Sequence, residues 1–340
     1  MARRRRRRSS RLYTLSALVI LAGGAVTYYK VFWKPIRDAT ARTTATGDHA
    51  APPRLISDRP EDGDLTGGPY RHVPEHGAAT TAEPSPPAAQ EDFTRALALM
   101  NAGLASLNRG EVIDARAKLS EALALQLPQE DRVKTRAALS KLADQTLFSP
   151  AVTPNDPFAS TYVVKTGDSL VKIAKEYAVT AELLARVNNL ADRNMIRIGQ
   201  RLKVLHGPFH AVIDLKGYDM DVFLQNTFVK HFKVGLGESN STPTGKWRVQ
   251  NKLINPTYYP PRGGDIIAAD DPKNPLGERW IGLHGLEGEA VGQERYGIHG
   301  TIEPESIGKN LSLGCVRLYN EDVELLFDLL VEEKSTVLVR

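Results

Sequence analysis

Residues 296–318 read Tyr296-Gly297-Ile298-His299-Gly300-Thr301-Ile302-Glu303-Pro304-Glu305-Ser306-Ile307-Gly308-Lys309-Asn310-Leu311-Ser312-Leu313-Gly314-Cys315-Val316-Arg317-Leu318. Cys315 is the single cysteine of a 340-residue chain. No intrachain disulfide can form, which excludes a disulfide-stapled small scaffold. A lone thiol has two readings, an inert core side chain or a nucleophile. As a nucleophile it needs a base or a positive site, because an ordinary thiol is scarcely ionised at neutral pH. His299, flanked by a glycine that lets a ligand approach, is one candidate base; His284, in Leu283-His284-Gly285, is its rival. Gly314 and Cys315 offer successive backbone N–H groups for an oxyanion, worth about 3 kcal/mol per donor.

Outward from this stretch, short strand-like runs dominate: 211–215, 222–225, 228–234, 245–251, 280–283 and 337–339. One helix is expected over 321–331, with Asn320 as its cap and Glu321, Asp322 and Glu324 suiting its positive end. Many short strands, one late helix and Gly/Pro-rich turns predict a mainly-β, sandwich-like domain over 209–340.

The pieces Gly297-Ile298-His299-Gly300-Thr301, Ser306-Ile307-Gly308 and Ser312-Leu313-Gly314-Cys315-Val316-Arg317-Leu318 resemble the active-site signature of the L,D-transpeptidases, the YkuD-like catalytic domain. Thr242-Pro243-Thr244-Gly245 matches the family's turn before a strand. Asn255-Pro256-Thr257-Tyr258-Tyr259-Pro260-Pro261 and Asn274-Pro275-Leu276-Gly277 resemble its substrate-side loops. One departure stands out: many members read Ser/Thr-His-Gly-Cys, and Leu313 replaces that histidine here. The resemblance implies Cys315 as nucleophile, His299 as general base and acid, and Gly314 with Cys315 as oxyanion donors. Ser312 would orient the loop. Arg317 would meet a substrate carboxylate or a structural ion-pair partner. The implied reaction is acyl transfer from a peptidoglycan stem tetrapeptide through a thioester, giving 3→3 cross-links or attaching a protein lysine. The same site resolved by water would be an L,D-carboxypeptidase or wall hydrolase, and a non-catalytic wall tether is a further reading. No cofactor is implied, and no His/Cys cluster is present to hold a metal.

Residues 161–205 contain Tyr162-Val163-Val164-Lys165-Thr166-Gly167-Asp168-Ser169-Leu170, Asn188-Asn189-Leu190 and Ile198-Gly199-Gln200. A strand enters a Gly-Asp turn, Asp168 or Ser169 caps a helix near Leu170, a second helix covers 181–187 and a strand returns over 201–204. The stretch resembles a LysM module, a β-α-α-β fold that binds N-acetylglucosamine-containing glycans such as peptidoglycan. By that resemblance the groove lies between Gly167, Asp168, Ser169 and Leu170 on one side and the 189–196 loop, with Asn189 and Ile196, on the other. The same polar residues also suit turns and caps alone.

Residues 93–148 are helical by period: Leu97, Met100, Leu104 and Leu107, then Ile113, Ala117 and Leu119, then 133–147. Gly103, Gly110-Glu111, Ala115 and Ala122-Leu123 resemble a tetratricopeptide hairpin, with too few units for a solenoid. A spacer packed on its neighbours and a module binding a protein partner both remain open.

The chain carries 44 Lys/Arg against 40 Asp/Glu, a formal net charge of +4. Ten of the basic residues, Arg3 to Arg8, Arg11, Lys30, Lys34 and Arg37, precede the first acidic residue, so the rest carries 34 against 40. That net of −6 excludes a basic, nucleic-acid-binding body. Residues 1–11 read as a basic cytoplasmic tail and 12–33 as a membrane anchor, whose uncharged run from Leu12 to Tyr29 is just long enough to span a bilayer. An arginine patch for nucleic acid and a cleaved signal peptide are the competing readings. Positive residues stay inside, which puts the rest of the chain outside the membrane, in the bacterial cell envelope. Residues 34–92, rich in Pro, Ala and Thr, read as a disordered tether with a reach of about 40 Å.

Overall fold

The computed structural model describes residues 86–340 except residue 262. The basic tail, the anchor and most of the tether lie outside the described residues. Among those described, no helix is long and apolar enough to cross a membrane.

Three helices come first: α1 (Pro86–Asn108), α2 (Val112–Ala124) and α3 (Gln129–Thr146). Helix α1 starts inside the stretch expected to be tether. Ala88, Ala89 and Gln90 are strong helix formers, and proline is tolerated in a first turn. Gly110 ends the first hairpin arm at φ +77°, a conformation glycine adopts without steric cost. At Gly103 a Cβ would lie 2.7 Å from Leu119, so glycine lets α1 and α2 touch.

The next four elements are β1 (Ala159–Val163), α4 (Leu170–Glu176), α5 (Ala181–Val187) and β2 (Arg201–Leu205), the expected β-α-α-β order. Strands β1 and β2 pair antiparallel from Ala159↔Leu205 to Val163↔Arg201. Ser169 caps α4 by accepting from the Lys172 N–H, and Thr180 caps α5 by accepting from Leu183. Asp168 therefore does not cap.

The remainder forms β3 (Phe209–Asp214), β4 (Asp219–Leu224), β5 (Thr227–Lys233), β6 (Leu236–Gly237), β7 (Gly245–Ile254), β8 (Arg279–Gly288), β9 (Gly297–His299), β10 (Asn310–Ser312), β11 (Val316–Arg317), α6 (Asn320–Leu329) and β12 (Thr336–Val339). Eight strands make one mixed sheet in the order β11-β9-β8-β7-β12-β3-β4-β5, and β10 pairs with β6 in a small parallel pair. This replaces the expected sandwich with a single curled sheet. Gly235, just past edge strand β5, exchanges two backbone hydrogen bonds with Arg317 in the opposite edge strand β11, at 2.9 and 2.8 Å. A Cβ on Gly235 would lie 2.6 Å from the Ser306 carbonyl, so the closure needs glycine there. Curling until the edges meet hides ladder groups that a flat sheet would expose. Strand count alone does not distinguish this from two packed sheets.

The three parts share buried contacts. Phe228 of β5 sits in the helical core with Met100, Leu119, Leu123, Leu139 and Leu142. Its N–H donates to Ser120 Oγ at 3.3 Å. The helices thus pack part of their apolar surface against the chain's own sheet. Arg116 makes a two-pronged pair with Asp156, at 2.6 and 2.9 Å, and also donates to Thr146. Lys203 of β2 closes the end of α3, donating to the carbonyls of Thr146, Ser149 and Ala151, while burial pushes its ammonium down to about 8. Thr180 and Arg186 join the β-α-α-β unit to α6 at Asp328. Both members of the Arg116–Asp156 pair are almost fully buried. Asp156→Ala is expected to destabilise the chain by about 3–5 kcal/mol through the stranded guanidinium, read as a lowered midpoint in urea.

Candidate active site

Strands β9 and β11 lie parallel, with Ile298 opposite Val316 and His299 opposite Arg317. This register carries Cys315, one step before β11, to the level of Gly297, so the two halves of the motif become one surface. Alternation along β9 puts Gly297 and His299 on the same face. Gly297 has no space for a side chain: a Cβ would meet the Trp280 ring at 2.6 Å and the Ile281 carbonyl at 2.8 Å.

His299 is buried, and its Nδ1 lies 2.6 Å from the Gly300 carbonyl. A carbonyl only accepts, so Nδ1 holds the proton and Nε2 keeps a lone pair for base chemistry. Trp280, opposite His299 in β8, stacks over the imidazole with centroids 5.9 Å apart and planes at 17°. Burial pushes the imidazole down to about 4. The Gly300 carbonyl opposes this shift, and the Arg317 charge adds to it. At neutral pH the ring is therefore an uncharged base.

Cys315 is half-buried, with Sγ 3.7 Å from the Arg295 carbonyl. Burial raises its thiol above the ordinary value, partly offset by a backbone hydrogen bond from Gly297 and by the charge of Arg317. Both shifts favour the uncharged forms, a thiol at Cys315 and a neutral imidazole at His299.

The loop carrying the thiol is held from three sides. Ser312 Oγ donates to the Cys315 carbonyl at 2.6 Å and accepts from the Gly314 N–H at 3.1 Å. Thr242 Oγ1 donates to the Gly314 carbonyl and accepts from the Gly237 N–H, both at 2.9 Å. Gly314 takes φ +129°, where a Cβ would also press on the Tyr296 ring at 2.7 Å. Thr242→Val keeps the shape and removes both bonds. A loss of about 1–3 kcal/mol is expected, with kcat falling more than KM rises because the thiol loop loosens.

Set beside known proteins, residues 208–339 match the L,D-transpeptidase catalytic domain and residues 162–205 match the LysM domain. A Bacillus subtilis (strain 168) protein named "Putative L,D-transpeptidase YkuD" is 30% identical over 171 residues, covering 48% of this chain and 88% of the relative. The chain belongs to the L,D-transpeptidase family. A second Bacillus subtilis (strain 168) relative, similarly named with the suffix YqjB, is 36% identical over 124 residues, 36% of this chain and 66% of its own. Among solved structures, an L,D-transpeptidase from Mycobacterium smegmatis is 14% identical, covering 42% of this chain and 64% of that one at a TM-score of 0.30.

Within this L,D-transpeptidase domain several expected roles are revised. The Gly314 N–H is already engaged by Ser312, whereas no acceptor among the described residues takes the Cys315 N–H. Ser312 is tied to the backbone on both sides of Leu313–Gly314 by its two hydrogen bonds. Arg317 holds an ion pair with Glu303 at 2.7 Å, the structural alternative for its charge. Leu313, at the position of the missing histidine, is 46% exposed, so its side chain is not wedged under the thiol. His284 is exposed on β8. Asn320 does not cap α6, whose N-cap is Tyr319; its Oδ1 accepts from the Thr301 N–H at 2.9 Å and pins the turn after His299. Asn274 is buried and ties its loop to the Pro256 and Ala268 carbonyls, while Tyr259 and Ile266 stand exposed at the loop tips. Trp280 was not singled out in the sequence because it comes from β8 with no chemical motif around it; Thr242 and Tyr296 stood in the quoted motifs without a role, which only their contacts with Gly237 and Gly314 supply.

In the LysM domain, Asp168 accepts from the Lys165 N–H at 2.7 Å and the Tyr162 hydroxyl at 2.9 Å, a turn-forming role. Leu170 belongs to the core at 2% exposure, not to a groove floor. Gly167 takes φ +83° and Asn189 φ +52° in exposed turns. Ser169 is exposed and already caps α4. Ile196 helps line an open groove of about 800 Å³ with Asn194, Met195, Arg197, Ile198 and Gln200. Met195 and Ile198 are its most exposed apolar members, and the sequence reading did not single them out for that role.

Proposed function

We propose that this chain is a peptidoglycan L,D-transpeptidase that uses Cys315 as nucleophile and His299 as the proton carrier. The observation that carries this reading is the tautomer of His299: its Nδ1 proton is spent on the Gly300 carbonyl, leaving Nε2 as an uncharged base on the face beside the thiol. When a stem tetrapeptide docks, Nε2 takes the thiol proton as sulfur attacks the carbonyl preceding the terminal D-alanine. The Cys315 N–H faces the oxyanion, which one donor stabilises by about 3 kcal/mol. Collapse breaks the peptide bond, His299 returns the proton to the leaving D-alanine amine, and a thioester remains. An acceptor amine, on a second stem or a protein lysine, then loses a proton to His299 and attacks the thioester, freeing the thiol.

The LysM groove would hold the glycan strand and raise the local concentration of stems, an effect of linkage rather than of new contacts at the thiol. The basic tail, apolar span and tether would fix the enzyme outside the bacterial cytoplasmic membrane with reach toward the wall. The test is to incubate the full chain with disaccharide-tetrapeptide and weigh the products. A dimer short of one D-alanine supports transpeptidation. Tripeptide with free D-alanine and no dimer would replace it with carboxypeptidase action. Untouched substrate would leave the wall-tether reading.

A further inference from the structure

A polar cavity of about 430 Å³ opens where α3 meets the β3–β4 hairpin and the end of β12. Its lining includes neither His299 nor Cys315, nor any residue of β9 or β11. Its acids are already committed. Asp214 accepts from the backbone N–H groups of Lys216 and Gly217 at 3.0 and 3.2 Å. Asp219 is held by Arg136 at 3.0 Å and by Lys233. Asp221 is held by Arg136 at 2.6 Å and by His231 at 2.8 Å.

Those pairs use up Arg136 and Lys233. The other cations lining the cavity, Arg132, Lys216 and Arg340, have no ion-pair partner among the described residues. Arg132 is half-buried, while Lys216 and Arg340 are exposed; burial and the like charges of Arg136 and Arg340 oppose the Arg132 charge more than Asp221 and Asp214 support it. A half-buried guanidinium beside like charges gains from an anion that joins them. Guanidinium forks match the oxygens of a phosphate in paired hydrogen bonds, and an ammonium adds a point charge.

We propose that this cavity is a phosphate-binding site, in which Arg132, Lys216 and Arg340 hold one phosphate group from three different segments of the chain. The group would come from a free phosphorylated small molecule or from a phospholipid headgroup. The proposal stands apart from the acyl-transfer reading and does not need it.

The full chain, at constant ionic strength, is titrated with inorganic phosphate by calorimetry and separately with phosphatidylglycerol vesicles by flotation. The expected result is saturable binding of one of the two probes, which identifies the source. Arg132→Gln is expected to weaken it about tenfold, the worth of one charge-assisted hydrogen bond. Lys141→Gln, on the same helix but not lining the cavity, should leave it unchanged. A thermal melt reports whether each variant is folded; should Arg132→Gln unfold, Lys216→Gln carries the same expectation. Saturation by neither probe, or binding equally strong in the folded cavity variants, overturns the site.

Discussion

Alanine at Cys315 is expected to lower acyl transfer by a factor on the order of 10⁴ or more, while leaving the fold intact. The thiol is the only group in the loop able to form the thioester, and it is half-buried at the edge of the sheet rather than packed in the core. Removing one sulfur from such a position costs little packing, so circular dichroism and the urea midpoint should stay near wild type. The product assay separates chemistry from scaffolding: a wild type that makes dimer beside an inert Cys315→Ala assigns the nucleophile. Equal dimer yield from the two proteins would remove Cys315 from the mechanism. Intact-protein mass adds a direct view, since an acyl-enzyme should accumulate on the wild type when the acceptor amine is withheld.

The second large effect concerns pH. With the His299 imidazole at about 4 and the thiol above its ordinary value, kcat/KM should stay flat through neutrality and fall only as pH drops toward 4. An unperturbed histidine would give an acidic limb near 6.5. Trp280 covers the ring and keeps water from it. Trp280→Ala should therefore move the acidic limb up toward 6.5 and lower kcat, and Trp280→Phe should restore much of both. An acidic limb that stays in place in Trp280→Ala would show that the indole is only packing. Stability follows the same group. The folded imidazole binds its proton less readily than the unfolded one, so between about 4 and 6.5 the unfolded chain holds more protons. This contribution is fully present above 6.5 and is lost as pH falls through that window, on the order of 3 kcal/mol in all. Urea midpoints measured across the window check the sign.

Much of this molecule could be read from local order. The helical periods, the β-α-α-β order of residues 159–205, the late helix and most strands of the sheet are legible because period, caps and turn residues act over a few neighbours. The motif around His299 and Cys315 is equally local, so both residues stand out in sequence, and one parallel register sets their segments side by side. The end of the tether was less legible, because good helix formers follow its prolines without a polar boundary.

Other features needed the folded chain. Whether the strands stack as two sheets or curl as one depended on Gly235 meeting Arg317 across the edges. That contact joins segments far apart in sequence, and neither residue announces it. The indole over His299, the threonine behind Gly314 and the commitment of the Gly314 amide to Ser312 likewise arise from distances between backbones. Arg317 is an outright example: a guanidinium suits a substrate or a carboxylate of its own chain equally well, and the position of Glu303 decides. Side-chain identity is a local property, so the order of residues fixes which groups are available for chemistry. Which donors and charges remain unspent is set by folding, because hydrogen bonds and ion pairs are consumed by whatever neighbours packing brings within reach.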